Sequence, residues 1–219
     1  DYGMVKECED LAAVQDATGS ELVFGHSYGG LIALEAARTS TVFRKVAIYE
    51  PGVSVAGSID LGWAPAYERK LAEGKLLDAF ALFSVGAGPR RARTVPVWLM
   101  KRLAPFVIGR ADLQRMLDLL AVNLSEHQVV EQLDNSYPAY QTVRAEVLAM
   151  HGGRSGLDWV ARAMNALALV IPSIDVQEFP KLDHFGPTKT GPSEVASVVR
   201  SFFLRQSEVS SDPAEVVQP

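Results

Sequence analysis

Hydrophobic and polar positions follow one another along the first third of the chain in a helix–strand–helix–strand order. Residues 5–18 show the helical period, and the short apolar run at 21–24 predicts a strand. After a glycine-rich turn, apolar residues at helical spacing predict a second helix. Residues 45–50 then form the next predicted strand, which ends at a Pro-Gly turn signal. Strands joined by helices of these lengths predict an α/β fold with a mostly parallel sheet and crossover helices.

A long helical segment interrupts this order between residues 53 and 143. No strand pattern stands out there, because the apolar residues recur at helical spacing. The predicted helices cover residues 64–73, 75–83, 96–103, 111–122 and 126–133. We interpret the segment as an all-helical cap inserted into the sheet-forming part of the chain.

Strands and helices alternate again after the helical segment. Two strands are predicted at 146–151 and 174–179, and two helices at 157–169 and 193–205. The predicted domains are therefore an α/β core at 1–52 and 144–205, and a cap at 53–143. Residues 206–219 are polar and contain two prolines, which predicts a disordered tail.

Composition and charge exclude several classes of function. The net charge is −5, and the only dense basic run is GPRRAR at residues 88–93, which we interpret as a solvated loop, so we expect no nucleic-acid partner. No apolar run approaches the roughly eighteen residues of a membrane span, and no signal peptide is visible, which predicts a cytoplasmic protein without membrane contact. The single cysteine, Cys8, excludes an internal disulfide and a cysteine-based zinc site, and its helical spacing predicts a core thiol. We predict no metal.

The turn after the first predicted strand carries the motif G-x-S-x-G. Gly25-His26-Ser27-Tyr28-Gly29 lies between a strand and a helix, the setting in which this motif exposes a nucleophilic serine on a sharp turn. We expect both flanking glycines to be required because a Cβ at either would collide with neighbouring backbone. The following helix directs N–H groups and its positive end toward the serine. The motif predicts that Ser27 is a nucleophile.

A serine nucleophile needs a base, and the chain has four histidines. His26 is predicted to point away from Ser27, His127 to be exposed on a helix, and His151 to end a strand. His184 follows the last predicted strand, and the carboxyl ends of parallel strands open on the same edge of a sheet. We therefore predict that His184 is the general base.

These features together resemble the α/β-hydrolase family, in its cofactor-independent serine type with a helical cap. The resemblance covers residues 1–205 and rests on DLAAV, GHSYGG, KVAIYEPG, VLAMHGG and a histidine before a final helix ending in VVRSFF. It implies hydrolysis of an ester or related acyl bond of a small, apolar molecule through a Ser27 acyl-enzyme, with no cofactor. It also implies that the Tyr28 backbone N–H donates to the oxyanion.

The acid of the triad departs from the usual pattern of this family. Such hydrolases usually carry it in the turn after the strand that follows the cap, where this chain has Ser155. Two alternatives remain: Asp158 in the same region, and Glu50 at the end of the second strand, where some capped members place their acid. We prefer Glu50 because a carboxylate at that edge is hard to explain as a surface group. Asp183 adjoins His184 but has the wrong direction to orient it.

The resemblance also implies strands upstream of the motif that the chain does not contain. The sequence starts at Asp1, shortly before the predicted nucleophile, without the loop that supplies a second oxyanion donor. We therefore expect the C-terminal part of a hydrolase, and an unpaired strand edge of this kind favours self-association. The alternative function is a non-catalytic remnant or a binding module.

Overall fold

A four-stranded parallel sheet organises residues 2–206, the part of the chain that the computed structural model describes. The strands follow the chain in the order β1-β2-β3-β4, and every neighbouring pair is parallel. Their bounds are β1 Leu22–His26, β2 Lys45–Tyr49, β3 Glu146–Gly152 and β4 Ile174–Phe179. The predicted α/β fold with a mostly parallel sheet is confirmed. The predicted tail lies outside the described residues from position 207 onward.

Helices surround the sheet and fill the interval between β2 and β3. The α-helices of the described range are α1 Met4–Thr18, α2 Tyr28–Thr39, α3 Ala64–Ala72, α4 Leu76–Gly86, α5 Arg90–Arg93, α6 Val97–Val107, α7 Arg110–Asp118, α8 Leu120–Gln132, α9 Asp158–Val170 and α10 Pro192–Leu204. A 3-10 helix covers Tyr137–Thr142, and a π-helical turn covers Gly186–Thr190. None of the helices between residues 2 and 206 has the length and apolarity that crossing a membrane requires.

Both faces of the sheet are covered, which explains why β2 is buried over its whole length. Val46 and Ile48 face one apolar cluster, which includes residues of α2 and α9, whereas Ala47 and Tyr49 face another, which includes residues of α10. This alternation follows from the two-residue period of a strand. Cys8 on α1 is half-buried and packs against the first cluster.

The helices between β2 and β3 have an apolar cluster of their own. It consists of Trp63, Tyr67, Ala79, Phe80, Ala104, Leu113, Leu120 and Leu124. The segment therefore has separate internal packing, while the exact bounds of core and cap stay a prediction.

Several local predictions in this segment are wrong. The helix predicted to begin at residue 126 begins at Leu120, so Ser125 lies inside α8, where its hydroxyl donates to Ala121 O. The basic run is not a loop throughout, because residues 90–93 form the single turn α5. His127 is not exposed: its ring packs 5.2 Å from Trp63 and 5.3 Å from Phe83, and its Nδ1–H donates to Asn123 O. An aromatic neighbourhood formed by three helices could not be read from the polar residues around His127.

Candidate active site

Ser27 lies at the abrupt turn between β1 and α2. Its backbone has φ 55° and ψ −121°, a sparsely populated conformation for a residue with a side chain. The turn is held by its own hydrogen bonds: Ser27 N–H donates to Tyr49 O, and Ser27 O accepts from the N–H groups of Gly30 and Gly52. Such strain costs on the order of 1–3 kcal/mol and persists only where surrounding contacts enforce it. The bonds to the end of β2, to the turn after it and to α2 provide that enforcement.

The glycines around Ser27 have different roles. A Cβ on Gly25 would lie 2.3 Å from Gly29 O, so no side chain fits at the strand position. A Cβ on Gly30 would lie 3.0 Å from Pro51 Cβ, which is a tight contact. A Cβ on Gly29 would meet nothing within 4 Å, so the expectation that both motif glycines prevent a collision is wrong for Gly29. The close approach of α2 to the end of β2 needs Gly30 instead.

Tyr28 is the first residue of α2, where backbone N–H groups have no partner inside the helix. The positive end of the helix dipole adds to the attraction that these groups exert on a negative charge beside Ser27. The predicted oxyanion donor therefore lies at a helix end of the required polarity.

Glu50 and His184 meet at the carboxyl edge of the sheet. Glu50 follows β2 directly and is fully buried, and its Oε2 lies 2.7 Å from His184 Nδ1. Two further donors reach the carboxylate: Gly152 N–H bonds Oε1 at 2.9 Å, and the Ser155 hydroxyl bonds Oε2 at 2.8 Å. A buried carboxylate without such partners would be costly. These donors come from β3 and the turn after it, so the site joins three separate parts of the chain.

The alternative acids have other partners. Asp158, at the start of α9, pairs with Arg90 of α5 through a 2.6 Å contact between Oδ1 and Nε. Asp183 Oδ1 accepts the Phe185 backbone N–H and the Thr190 hydroxyl, and so closes its own loop. Glu50, rather than either aspartate, is the carboxylate against His184 Nδ1.

His184 lies between aromatic side chains in the loop after β4. Its ring centroid is 6.2 Å from that of Trp159, 5.6 Å from that of Phe185 and 4.9 Å from that of His26. His26 directly precedes Ser27, so His184 lies beside the strand end that carries the predicted nucleophile. The sequence predicts only that His26 points away from Ser27 and does not identify its neighbour. Alternation along a strand, which turns His26 to the other face from its neighbours, is the only available signal.

His151, another histidine considered as a base, lies in a strand. His151 belongs to β3, where it is paired in register with Glu178 of β4. Between residues 2 and 206, no group of three or more histidine, cysteine and acidic side chains is arranged to hold a metal ion.

Comparison with known proteins identifies the class. The chain matches the model of the alpha/beta hydrolase family over residues 1–198. Because that match covers most of the sequence, the chain belongs to the alpha/beta hydrolase family, and the resemblance seen in the sequence is confirmed. Family membership supports a hydrolase. A search of curated proteins finds no match.

Solved structures of hydrolases share the fold at low sequence identity. An alpha/beta hydrolase from Sphaerobacter thermophilus is 23% identical with a TM-score of 0.70, and the alignment covers 93% of this chain and 75% of that one. The N-formylmaleamic acid deformylase of Pseudomonas putida is 16% identical, with a TM-score of 0.61 and coverage of 92% and 73%. A carboxylesterase structure from Nitrososphaera gargenis is 15% identical, with a TM-score of 0.61 and coverage of 92% and 72%. At these identities the likeness establishes the fold alone.

Proposed function

We propose that the chain carries the catalytic residues of a serine hydrolase, with Ser27 as nucleophile, His184 as base and Glu50 as the acid. The observation that carries the proposal is the contact between buried Glu50 and His184 Nδ1, next to the strained turn that holds Ser27. A carboxylate on one imidazole nitrogen keeps the other nitrogen, Nε2, unprotonated and able to accept a proton. This arrangement has no obvious purpose in a structural turn.

In the first half of the reaction, Ser27 Oγ attacks the carbonyl carbon of the substrate while its proton passes to His184 Nε2. The carbonyl oxygen becomes an oxyanion near the Tyr28 N–H. The tetrahedral intermediate then collapses, and the leaving group departs with the proton from Nε2, which leaves an acyl group on Ser27. Glu50 stabilises the imidazolium during both steps without taking its proton.

In the second half, a water molecule takes the place of the leaving group. His184 Nε2 removes one proton from the water as its oxygen attacks the acyl carbon. The second tetrahedral intermediate expels Ser27 Oγ, which takes the proton back from Nε2. The products are a carboxylic acid and the free enzyme, so each proton taken by His184 is returned within the cycle.

A small, apolar acyl compound is the substrate class that the surrounding side chains favour. Trp159 and Phe185 lie against the ring of His184. Gly52 donates to Ser27 O, and a Cβ on this glycine would lie 3.5 Å from Val130 Cγ2 of α8. Carboxylesterase and deformylase activities, which structural neighbours bear in their names, both break an acyl bond. We therefore propose short-chain esters or amides of apolar acids as substrates.

Labelling with a fluorophosphonate tests the nucleophile directly, because the reagent forms a covalent bond to a serine activated by a histidine base. We expect the 219-residue chain to be labelled and the Ser27→Ala variant not to be. Ser125→Ala is the matched control and should keep the label, since that hydroxyl bonds to its own helix. An unlabelled wild type with native circular dichroism would favour the non-catalytic alternative.

The choice of acid needs a separate pair of variants. Glu50→Gln should lower kcat for a p-nitrophenyl ester by about a thousandfold or more, because the amide no longer holds the required tautomer. Asp158→Asn removes the pairing with Arg90. It should change kcat less than threefold, because an exposed ion pair contributes little free energy. The reverse pattern would assign the acid to Asp158.

A further inference from the structure

His26 and Tyr49 form a cross-strand pair at the ends of β1 and β2. They are partners in the register of the parallel sheet, and their rings meet edge to face with centroids 5.8 Å apart. Their polar atoms reach two consecutive carbonyls of the loop after β4. Tyr49 Oη donates to Asp183 O at 2.8 Å, and His26 Nε2 lies 2.7 Å from His184 O. One pair of side chains therefore holds the backbone on both sides of the His184 Cα.

The protonation states suit this arrangement. A carbonyl oxygen only accepts, so His26 must carry its proton on Nε2 and leave Nδ1 free. Burial, and next the nearby His184, lower the pKa of His26 and keep it neutral even when His184 takes a proton. Burial raises the pKa of Tyr49, so its phenol stays protonated and remains a donor. Both groups are permanent donors near neutral pH.

The loop fits closely against Tyr49. The Tyr49 side chain is fully buried, and a Cβ on Gly186 would lie 2.4 Å from its Oη. The backbone that follows His184 therefore passes directly over the phenol. No side chain at Gly186 would be accommodated without a shift of the loop.

We infer that His26 and Tyr49 are positioning residues, which set the direction of His184 Nε2 by fixing the loop backbone. Glu50 holds Nδ1, and the two carbonyl contacts hold the main chain, so the imidazole is held through both its ring and its backbone. The inference rests on the proposed function, in which Nε2 serves both as base and as acid. A displacement of about 1 Å at a reacting group can cost about a hundredfold in rate.

Steady-state kinetics of Tyr49→Phe and His26→Leu test the inference. Tyr49→Phe keeps the ring and removes one donor, and we expect kcat to fall about tenfold or more, with KM within about twofold. The loss should be larger for an alkyl ester than for a p-nitrophenyl ester, because a poor leaving group depends on proton donation from Nε2. His26→Gln places an amide donor near the same carbonyl and should recover part of the activity that His26→Leu loses.

The double variant distinguishes joint action of His26 and Tyr49 on the loop from two independent contacts. If the pair acts together, His26→Leu combined with Tyr49→Phe should lose little more than the worse single variant. If kcat of the double variant fell by the product of the two single fold-changes, the result would contradict a shared role. Equal losses for good and poor leaving groups would overturn the inference, because they would indicate general damage to the site.

Tyr67→Phe is the matched control for Tyr49→Phe. Tyr67 is also a fully buried phenol that donates to a backbone carbonyl, Leu120 O, but it lies among the helices between β2 and β3. Its loss should reduce thermal stability without changing the sensitivity to leaving group. If it changed that sensitivity as Tyr49→Phe does, the effect would be one of stability alone.

Proton NMR supplies a readout that does not depend on hydrolysis. The His184 Nδ1–H proton in its bond to Glu50 should give a downfield resonance. In Tyr49→Phe and in His26→Leu, this resonance should shift, and the proton should exchange faster with water. An unchanged resonance in both variants would overturn the inference whether or not the chain hydrolyses esters. An altered resonance in a chain that no fluorophosphonate labels would instead leave the positioning intact and reject the proposed function.

Discussion

Ser155 Oγ lies 2.8 Å from Glu50 Oε2, the same oxygen that is 2.7 Å from His184 Nδ1. Ser155 is buried, and it lies in the turn after β3. The hydroxyl therefore donates to a carboxylate that reaches the same place from the neighbouring strand. It shares the negative charge of Glu50 with the imidazole.

Removal of this hydroxyl should slow hydrolysis. In Ser155→Ala the buried Glu50 carboxylate loses one donor, so the Oε2 atom that contacts His184 Nδ1 is held less firmly. We expect kcat for an ester substrate to fall about tenfold. Ser155→Thr keeps the hydroxyl and is the control. An equal loss in both variants would indicate a packing effect instead.

The two glycines that flank the nucleophile in the motif should respond differently to alanine. Gly25→Ala brings a Cβ within 2.3 Å of Gly29 O, and the overpacking should cost at least about 1–3 kcal/mol in the free energy of unfolding. Gly29→Ala meets nothing within 4 Å and replaces a helical glycine, so it should be neutral or stabilising by up to about 1 kcal/mol. Urea denaturation of both variants checks this. Equal losses would contradict the assignment of the close approach to Gly25.

Buried Lys45 joins the first residue of β2 to the end of α10. Its Nζ donates to Phe202 O at 2.8 Å and also to Arg205 O, and it lies 5.3 Å from the centroid of the Phe202 ring. Lys45→Met keeps the aliphatic stem but removes the charged donor, so the free energy of unfolding should fall by about 1.5–3 kcal/mol. Exposed Lys181→Met is the control and should change stability by less than about 0.5 kcal/mol. Similar losses in both variants would mean that the capping bonds of Lys45 contribute little.

His127 should make the protein less stable in mildly acidic solution. Burial lowers the pKa of His127 below its ordinary value of 6.5, so as the pH falls the unfolded chain binds a proton at this residue before the folded chain does. Its contribution is fully present above about pH 6.5 and is lost as the pH falls below that value, by about 1.4 kcal/mol for each unit between the two pKa values.

The comparison with His127→Phe isolates this effect. Phenylalanine preserves an aromatic ring beside Trp63 and Phe83 but has no proton to bind. We expect the free energy of unfolding to fall more steeply for the wild type than for the variant between pH 7 and pH 5, as measured by denaturation at each pH. Parallel curves would show that His127 is protonated equally in both states.

The sequence alone was sufficient for the fold class and the family, because both depend on local signals. A β-branched or aromatic strand, a glycine-rich turn and a helix with apolar spacing follow one another around Ser27 within a short stretch. The position of His184 after the last strand also follows from the rule that parallel strands open on one edge. Each of these inferences needs only neighbours in the chain or the direction of the strands.

Tertiary structure decided which side chains meet at that edge. Glu50 and Asp158 were both compatible with the sequence, and the fold distinguishes them: Glu50 contacts His184 Nδ1, whereas Asp158 pairs with Arg90 from the helical segment. The contacts of His26 and Tyr49 with the His184 loop depend on the register of β1 against β2, and a shift of β1 by one residue would turn His26 to the other face. Distances between residues more than a hundred positions apart in the chain arise from packing, and local patterns of polar and apolar residues carry no record of them.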